Sequence, residues 1–324
     1  MLTPYLTRVS YLTLAASLLF FTSPTLAKET APVAAEEQSQ AEQEAAFPQD
    51  KSDLKADERI VYGQLDNGLR YAVMRNDTPK DAAALRMRID TGSLNETDAQ
   101  RGIAHFLEHM AFNGSKNVPE GEMVKRLERL GLAFGADTNA STGFEQTIYK
   151  LNLPKTDAAI VDEAFFLMRE TASNLTLNDD AIERERGVIA SEKRARDSKG
   201  FRAFVSRIGF FTEGSGLVDW LPIGIDETIA TMPRDEFVKY YNGFYHPENT
   251  LITFVGDLDP KVAIGKIEEY FADWKPKAQR LPAAERKPAK IEAGKVGYYR
   301  DDGLLTGLTI GALRPHVAEQ DNTE

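Results

Sequence analysis

Gly102-Ile103-Ala104-His105-Phe106-Leu107-Glu108-His109-Met110-Ala111-Phe112-Asn113-Gly114 is the stretch on which the reading of this chain turns. Ile103, Phe106, Leu107 and Met110 recur at helical spacing and no proline interrupts the run, so a helix is expected over Ile103 to Phe112. On that helix His105 and His109, four positions apart, project from one face, where two imidazoles can grip one metal ion. Glu108 precedes the second histidine by one residue. Its carboxylate stands beside the metal position rather than on it, where it can take a proton from a metal-activated water. The bland alternative is a helix with two unrelated histidines; the chain has only four in all, which weakens it.

A catalytic metal of this kind needs a third protein ligand. Cysteine is absent, and the other two histidines, His246 and His316, each adjoin a proline in loop-like sequence. A carboxylate is therefore the better candidate. The segment from Asp179 to Glu192 has an acidic start and apolar Ile182, Val188 and Ile189, as a helix would. Glu185 and Glu192 lie two turns apart on one face of it. One can bind the metal while the other orients a histidine; their spacing does not choose between them.

The pattern His-x-x-Glu-His inverts the familiar zincin motif, and further segments carry a wider likeness. They run in order: Leu65-Asp66-Asn67-Gly68-Leu69-Arg70-Tyr71, Thr91-Gly92-Ser93 with Glu96, the histidine segment itself, and Ala136-Asp137-Thr138-Asn139-Ala140. Glu183-Arg184-Glu185-Arg186-Gly187-Val188-Ile189 with Glu192 follows, then Leu221-Pro222-Ile223-Gly224, and Tyr245-His246-Pro247-Glu248-Asn249 leading into Val255-Gly256-Asp257. Across about residues 58 to 312 the chain resembles the pitrilysin/insulinase family of zinc metallopeptidases, which includes mitochondrial processing peptidase and bacterial periplasmic members.

The resemblance implies one zinc ion per chain held by His105, His109 and Glu192, with Glu108 as general base and Glu185 as a supporting carboxylate. It places Asn139 and Ala140 at a sheet edge that contacts substrate backbone; a turn asparagine is the plain alternative for Asn139. The implied reaction is hydrolysis of peptide bonds in extended or unfolded peptides. The implied architecture is α+β, a mostly antiparallel sheet with helices packed on one face, as in mitochondrial processing peptidase. It also implies that catalysis draws on a second homologous domain or a partner subunit.

Composition agrees with a globular body. With 324 residues, 42% hydrophobic and 27% charged, the chain can bury one full core with residues left over. A net charge of -11 argues against nucleic acid as a partner, because phosphate binding needs a basic surface. Arg8, the apolar run Val9 to Phe21 and the small residues around Ala27 read as a signal peptide over residues 1–27. The run is shorter than the roughly 20 apolar residues of a membrane span, and the lack of cysteine excludes a lipoprotein anchor. Export, to the periplasm or to full secretion, is the expected route, with no stable anchor after cleavage.

Residues 28–57, rich in Ala, Glu and Gln, are expected to be a disordered linker. The metallopeptidase domain is expected over 58–274. Within it come a hairpin from Ile60 to Leu65 and Leu69 to Arg75 around Asp66-Asn67-Gly68 and strands at Ala83 to Asp90, Thr147 to Leu153 and Asn249 to Val255. Further helices are expected at Gly121 to Leu130, Thr156 to Ser173 and Asp179 to Arg196. Pro276, Pro282 and Pro288 mark a linker over 275–292. Residues 293–324 are read as the start of a second, truncated homologous domain, with strands at Lys295 to Arg300 and Leu304 to Leu313.

Two rivals to a self-sufficient peptidase follow. One is a noncatalytic or partner-dependent zinc-binding half that recognises peptides and needs a second domain or subunit to cleave. The other, a periplasmic solute-binding protein, explains an exported α/β chain and leaves the histidine motif unexplained.

Overall fold

Asp66-Asn67-Gly68 turns the chain between β1 (Ile60–Gln64) and β2 (Arg70–Arg75), with Gly68 at φ +91°, a left-handed conformation that glycine adopts without strain. Asn67 closes the turn by accepting from the Leu69 amide at 3.2 Å, and its own amide donates to the Phe271 carbonyl at 2.7 Å. The hairpin is thereby tied to a helix some two hundred residues away in sequence. A computed structural model describes residues 47–311, apart from 54, 134, 136, 137, 291, 293 and 306. The expected signal peptide and most of the first linker lie outside the described residues. The end of that linker is structured: Phe47 packs edge-on to Tyr62 at 5.1 Å and Pro48–Lys51 forms a 3-10 turn.

The remaining strands among the described residues are β3 (Ala83–Ile89), β4 (Thr138–Thr142), β5 (Thr147–Leu153) and β6 (Thr250–Gly256). They form one six-stranded sheet in the order β1-β2-β6-β3-β5-β4. Only the β2/β6 pair is parallel. Alternation fixes which face is covered. Leu85, Met87 and Ile89, Tyr149, Leu151 and Leu153, and Ile252 and Phe254 are buried, whereas Arg86, Arg88, Lys150 and Asn152 point to the open face.

The buried face is covered by α1 (Ile103–Met110), α3 (Ala158–Ser173) and α8 (Pro260–Phe271). α4 (Asp179–Arg196) and α7 (Arg234–Phe244) pack on α1, with Phe106 edge-on to Phe237 at 4.8 Å. α2 (Glu122–Arg129), α5 (Lys199–Phe211) and α6 (Asp226–Thr231) complete the helices among the described residues. The architecture is α+β with a mostly antiparallel sheet, as expected.

Glu170 on α3 anchors the loop that leaves α1. Its buried carboxylate accepts from the Ser115 hydroxyl, from the Asn117 amide and side chain at 2.9 Å each, and from Asn174 at 2.7 Å. Burial alone would raise its pKa, but these four donors outweigh it and hold the carboxyl below its ordinary 4.5. Glu170→Gln is expected to lower unfolding free energy by about 1–3 kcal/mol at neutral pH, because buried donors lose their acceptor. A depressed carboxyl contributes stability above its unfolded pKa and loses it on acidification, so the gap between wild type and variant should close as pH falls below 4.5. Denaturant melts at stepped pH measure this; a gap independent of pH contradicts it.

The two strands expected at Lys295 to Arg300 and Leu304 to Leu313 are corrected as far as residue 311, beyond which they lie outside the described residues. None of the described residues of 295–311 forms a strand, and Tyr298, Leu305, Leu308 and Ile310 are exposed. A strand exists through hydrogen bonds to a partner edge, and the described residues offer this segment none. It runs instead beside α5, where Arg202 pairs with Asp301 at 2.8 Å. The proline-marked linker before it is pinned to the body: Leu281 donates to the Gly243 carbonyl at 2.9 Å and Ala284 to Asn95 at 3.2 Å.

Candidate metal centre

Helix α1 begins where Gly102 adopts φ +94° and packs against Gly224; a Cβ built on Gly102 would lie 2.8 Å from the Gly224 Cα. The two glycines let the loop before α6 touch the helix start, which no larger residue permits. From there Ile103, Phe106, Leu107 and Met110 enter the core, and His105 and Glu108 are buried too. Only His109 keeps substantial exposure, at 23% of its side chain.

The i, i+4 spacing brings the two imidazoles to 4.8 Å between centroids. Glu192 approaches from α4, which packs on α1. Its Oε2 lies 3.5 Å from His105 Nε2 and 3.2 Å from His109 Nε2. Among the described residues these three side chains form the one group of three or more candidate ligands that could hold a metal ion, with donor atoms all within 4.8 Å of one another. Two imidazole nitrogens and one carboxylate oxygen converging on a point suit zinc. The residues present fit such an ion.

Glu185 sits on the far side of His109. Its Oε1 is 2.8 Å from His109 Nδ1, which leaves Nε2 free to face Glu192, and its Oε2 accepts from Asn113 at 2.9 Å. The other oxygen of Glu192 accepts from Arg196, so Oε2 is the atom presented to both histidines. Burial disfavours charge on His109, yet the Glu185 bond and the charges of Glu185, Glu192 and Glu108 raise its pKa above 6.5. The bond to His105 chiefly holds Glu192 down at about 2. Glu185 is also lowered, its bonds to His109 and Asn113 overcoming burial. A metal ion held there needs its histidine ligands neutral and its carboxylate ionised, so binding competes with protons.

Glu108 stands outside the trio. Its Oε2 accepts from the Thr142 hydroxyl at the end of β4. Asn139 and Ala140 lie on β4, the edge strand beside α1, with Asn139 exposed and its Oδ1 accepting from the Ala140 amide at 2.8 Å. Asn113, Thr142 and Arg196 join the site without having been assigned roles from sequence. Asn113 and Arg196 each lie four residues after a site residue, His109 and Glu192, so helical spacing alone could have pointed to them. Nothing local marks Thr142, which reaches Glu108 only because β4 pairs with β5.

Residues 71–208 match the sequence model of insulinase (Peptidase family M16), and residues 231–322 match that of the peptidase M16 inactive domain. The second match starts just before α7 and takes in β6, although β6 lies between β2 and β3 in the sheet that supports α1. The probable zinc protease PqqL of Escherichia coli is 37% identical over 241 residues, covering 74% of this chain and 26% of that protein. The crystal structure of the first half of the periplasmic protease PqqL from E. coli superposes with a TM-score of 0.70 at 35% identity, over 74% of this chain and 51% of that one. Pitrilysin shares the fold with a TM-score of 0.60 at 21% identity, over 74% of this chain and 25% of that one. The chain thus spans about a quarter of the length of the curated relatives it first matches.

Proposed function

Since the chain belongs to the insulinase family, peptidase family M16, we propose that it is a zinc-dependent endopeptidase that hydrolyses peptide bonds of extended or unfolded peptides. The observation that carries this is the convergence of His105, His109 and Glu192, with donor atoms within 4.8 Å, from two packed helices. One zinc ion per chain, held by these three residues, would polarise the scissile carbonyl and make water acidic enough to give up a proton near neutral pH. Glu108 takes that proton and passes it to the leaving nitrogen. Glu185 fixes the ring of His109 by its bond to Nδ1. Asn139 and Ala140 offer the β4 edge, along which an extended peptide adds as a further strand.

Residues 1–27 are proposed as a signal peptide for export to the periplasm, the compartment named for the solved E. coli relative. Among the described residues no helix is long and apolar enough to cross a membrane.

A second reading keeps the metal and drops autonomous cleavage. It is supported by the relatives, which are longer: the chain spans about a quarter of the first of them, so the rest of such a protein, or a partner subunit, can supply what cleavage needs. One experiment separates the readings: zinc per chain by elemental analysis, with cleavage of a quenched peptide library. One zinc with cleavage supports the self-sufficient enzyme. One zinc without cleavage supports the partner-dependent half, and no zinc overturns both.

A further inference from the structure

The two histidines are held in different ways. His109 has Glu185 on its outer nitrogen, whereas His105 Nδ1 is buried and has no hydrogen-bond partner among the described residues. Apart from the 3.5 Å approach of its Nε2 to Glu192, the direction of the His105 ring is therefore set by packing and by the backbone that carries it, the first turn of α1. That turn has free amides, as every helix start does. Here they are met by a side chain from outside the helix. Glu96, 1% exposed, accepts from the Gly102 amide with one oxygen at 2.8 Å and from the Ala104 amide with the other at 2.9 Å. Ala104 is the residue immediately before His105.

We propose that Glu96 is a positioning residue for the metal pair, fixing the first turn of α1 and with it the direction from which His105 meets the metal. This rests on the metal-centre reading above. The loop bearing Glu96 is itself clamped. Arg286 donates to the carbonyls of Leu94, at 2.8 Å, and of Glu96, and its guanidinium lies 3.5 Å over the ring of Trp220. Gln100 ties the next turn by accepting from the Thr97 amide at 3.2 Å and donating to Glu236 at 2.6 Å. Burial pushes the Glu96 carboxyl up to about 8, against the pull of the two amides and of Arg286 and Arg101. Its two oxygens each receive one helix-start amide, which an apolar side chain of the same volume could not do. Glu96→Gln keeps the volume and one acceptor but turns its N–H2 toward a backbone N–H that needs an acceptor.

The test is the affinity of the full chain for Zn2+, by competition with a chromophoric chelator well below the unfolding temperature, for wild type, Glu96→Gln, Arg286→Ala and Ile267→Val. Ile267 is buried on α8, which packs on β2 and α3, so its variant reports general destabilisation. The expected result is a zinc Kd raised about 10-fold or more in Glu96→Gln, as for other outer partners of metal ligands, with an unchanged circular dichroism spectrum. Arg286→Ala should raise it by a smaller factor and Ile267→Val should leave it alone. A folded Glu96→Gln with wild-type affinity, or an equal rise in Ile267→Val, overturns the proposal. Should Glu96→Gln not fold, Arg286→Ala decides, and wild-type affinity there overturns it. A wild-type chain that binds no zinc refutes the metal centre itself and this role with it, a pattern distinct from variants that match a zinc-binding parent.

Discussion

Glu108→Gln is expected to leave one zinc per chain in place while cleavage of quenched peptides falls by about 10²–10⁴-fold, the contribution general acid–base catalysis makes. The amide has the volume of the carboxylate, so the buried turn of α1 around it need not move. Its oxygen can still accept from the Thr142 hydroxyl, the one hydrogen bond described for the Glu108 side chain. The donor atoms of His105, His109 and Glu192 lie together without it. What the amide lacks is basicity. Steady-state kinetics beside elemental analysis give the two readings at once. Undiminished cleavage would remove Glu108 from the chemistry, and loss of zinc together with cleavage would make its role structural.

Why Glu108 was legible from sequence, and Thr142 was not, follows from the physics of each element. Periodicity within one helix is local, so His105, Glu108 and His109 fall into place as soon as α1 is recognised. The same holds for β3, β5 and α4, whose alternating or helical patterns reflect one buried face each. β4, Thr-Asn-Ala-Ser-Thr, is short and polar; it is a strand because β5 lies beside it, with Asn139 opposite Lys150 and Thr142 opposite Thr147. The place of β6 between β2 and β3 is equally nonlocal. Apolar alternation misled in the other direction at residues 295–311, where the pattern of a strand is present and the partner edge is missing from the described residues. Glu96 lay within a quoted motif, yet its task became visible only once Gly102 and Ala104 were seen to donate to it.

Glu192 and Glu185 could not be ranked by spacing, and their substitution should now separate them. Glu192→Gln is expected to weaken zinc binding by more than about 100-fold, while Glu185→Gln should fall within the roughly 10–100-fold loss typical of an outer-shell partner. The geometry gives the reason. Glu192 Oε2 faces both Nε2 atoms, at 3.5 and 3.2 Å, and so shares their vertex. Glu185 meets His109 on Nδ1, across the ring from that vertex, at 2.8 Å. Removing Glu192 takes away a ligand and the anion that balances the cation between two neutral imidazoles. Glu185→Gln leaves all three donors and loosens one of them, since a single amide oxygen must then serve both His109 and Asn113. Chelator competition on the two variants decides the order, and a larger loss in Glu185→Gln would transfer the ligand role to Glu185. The same order is expected with cobalt in place of zinc, because it follows from which oxygen reaches the vertex and not from the identity of the ion.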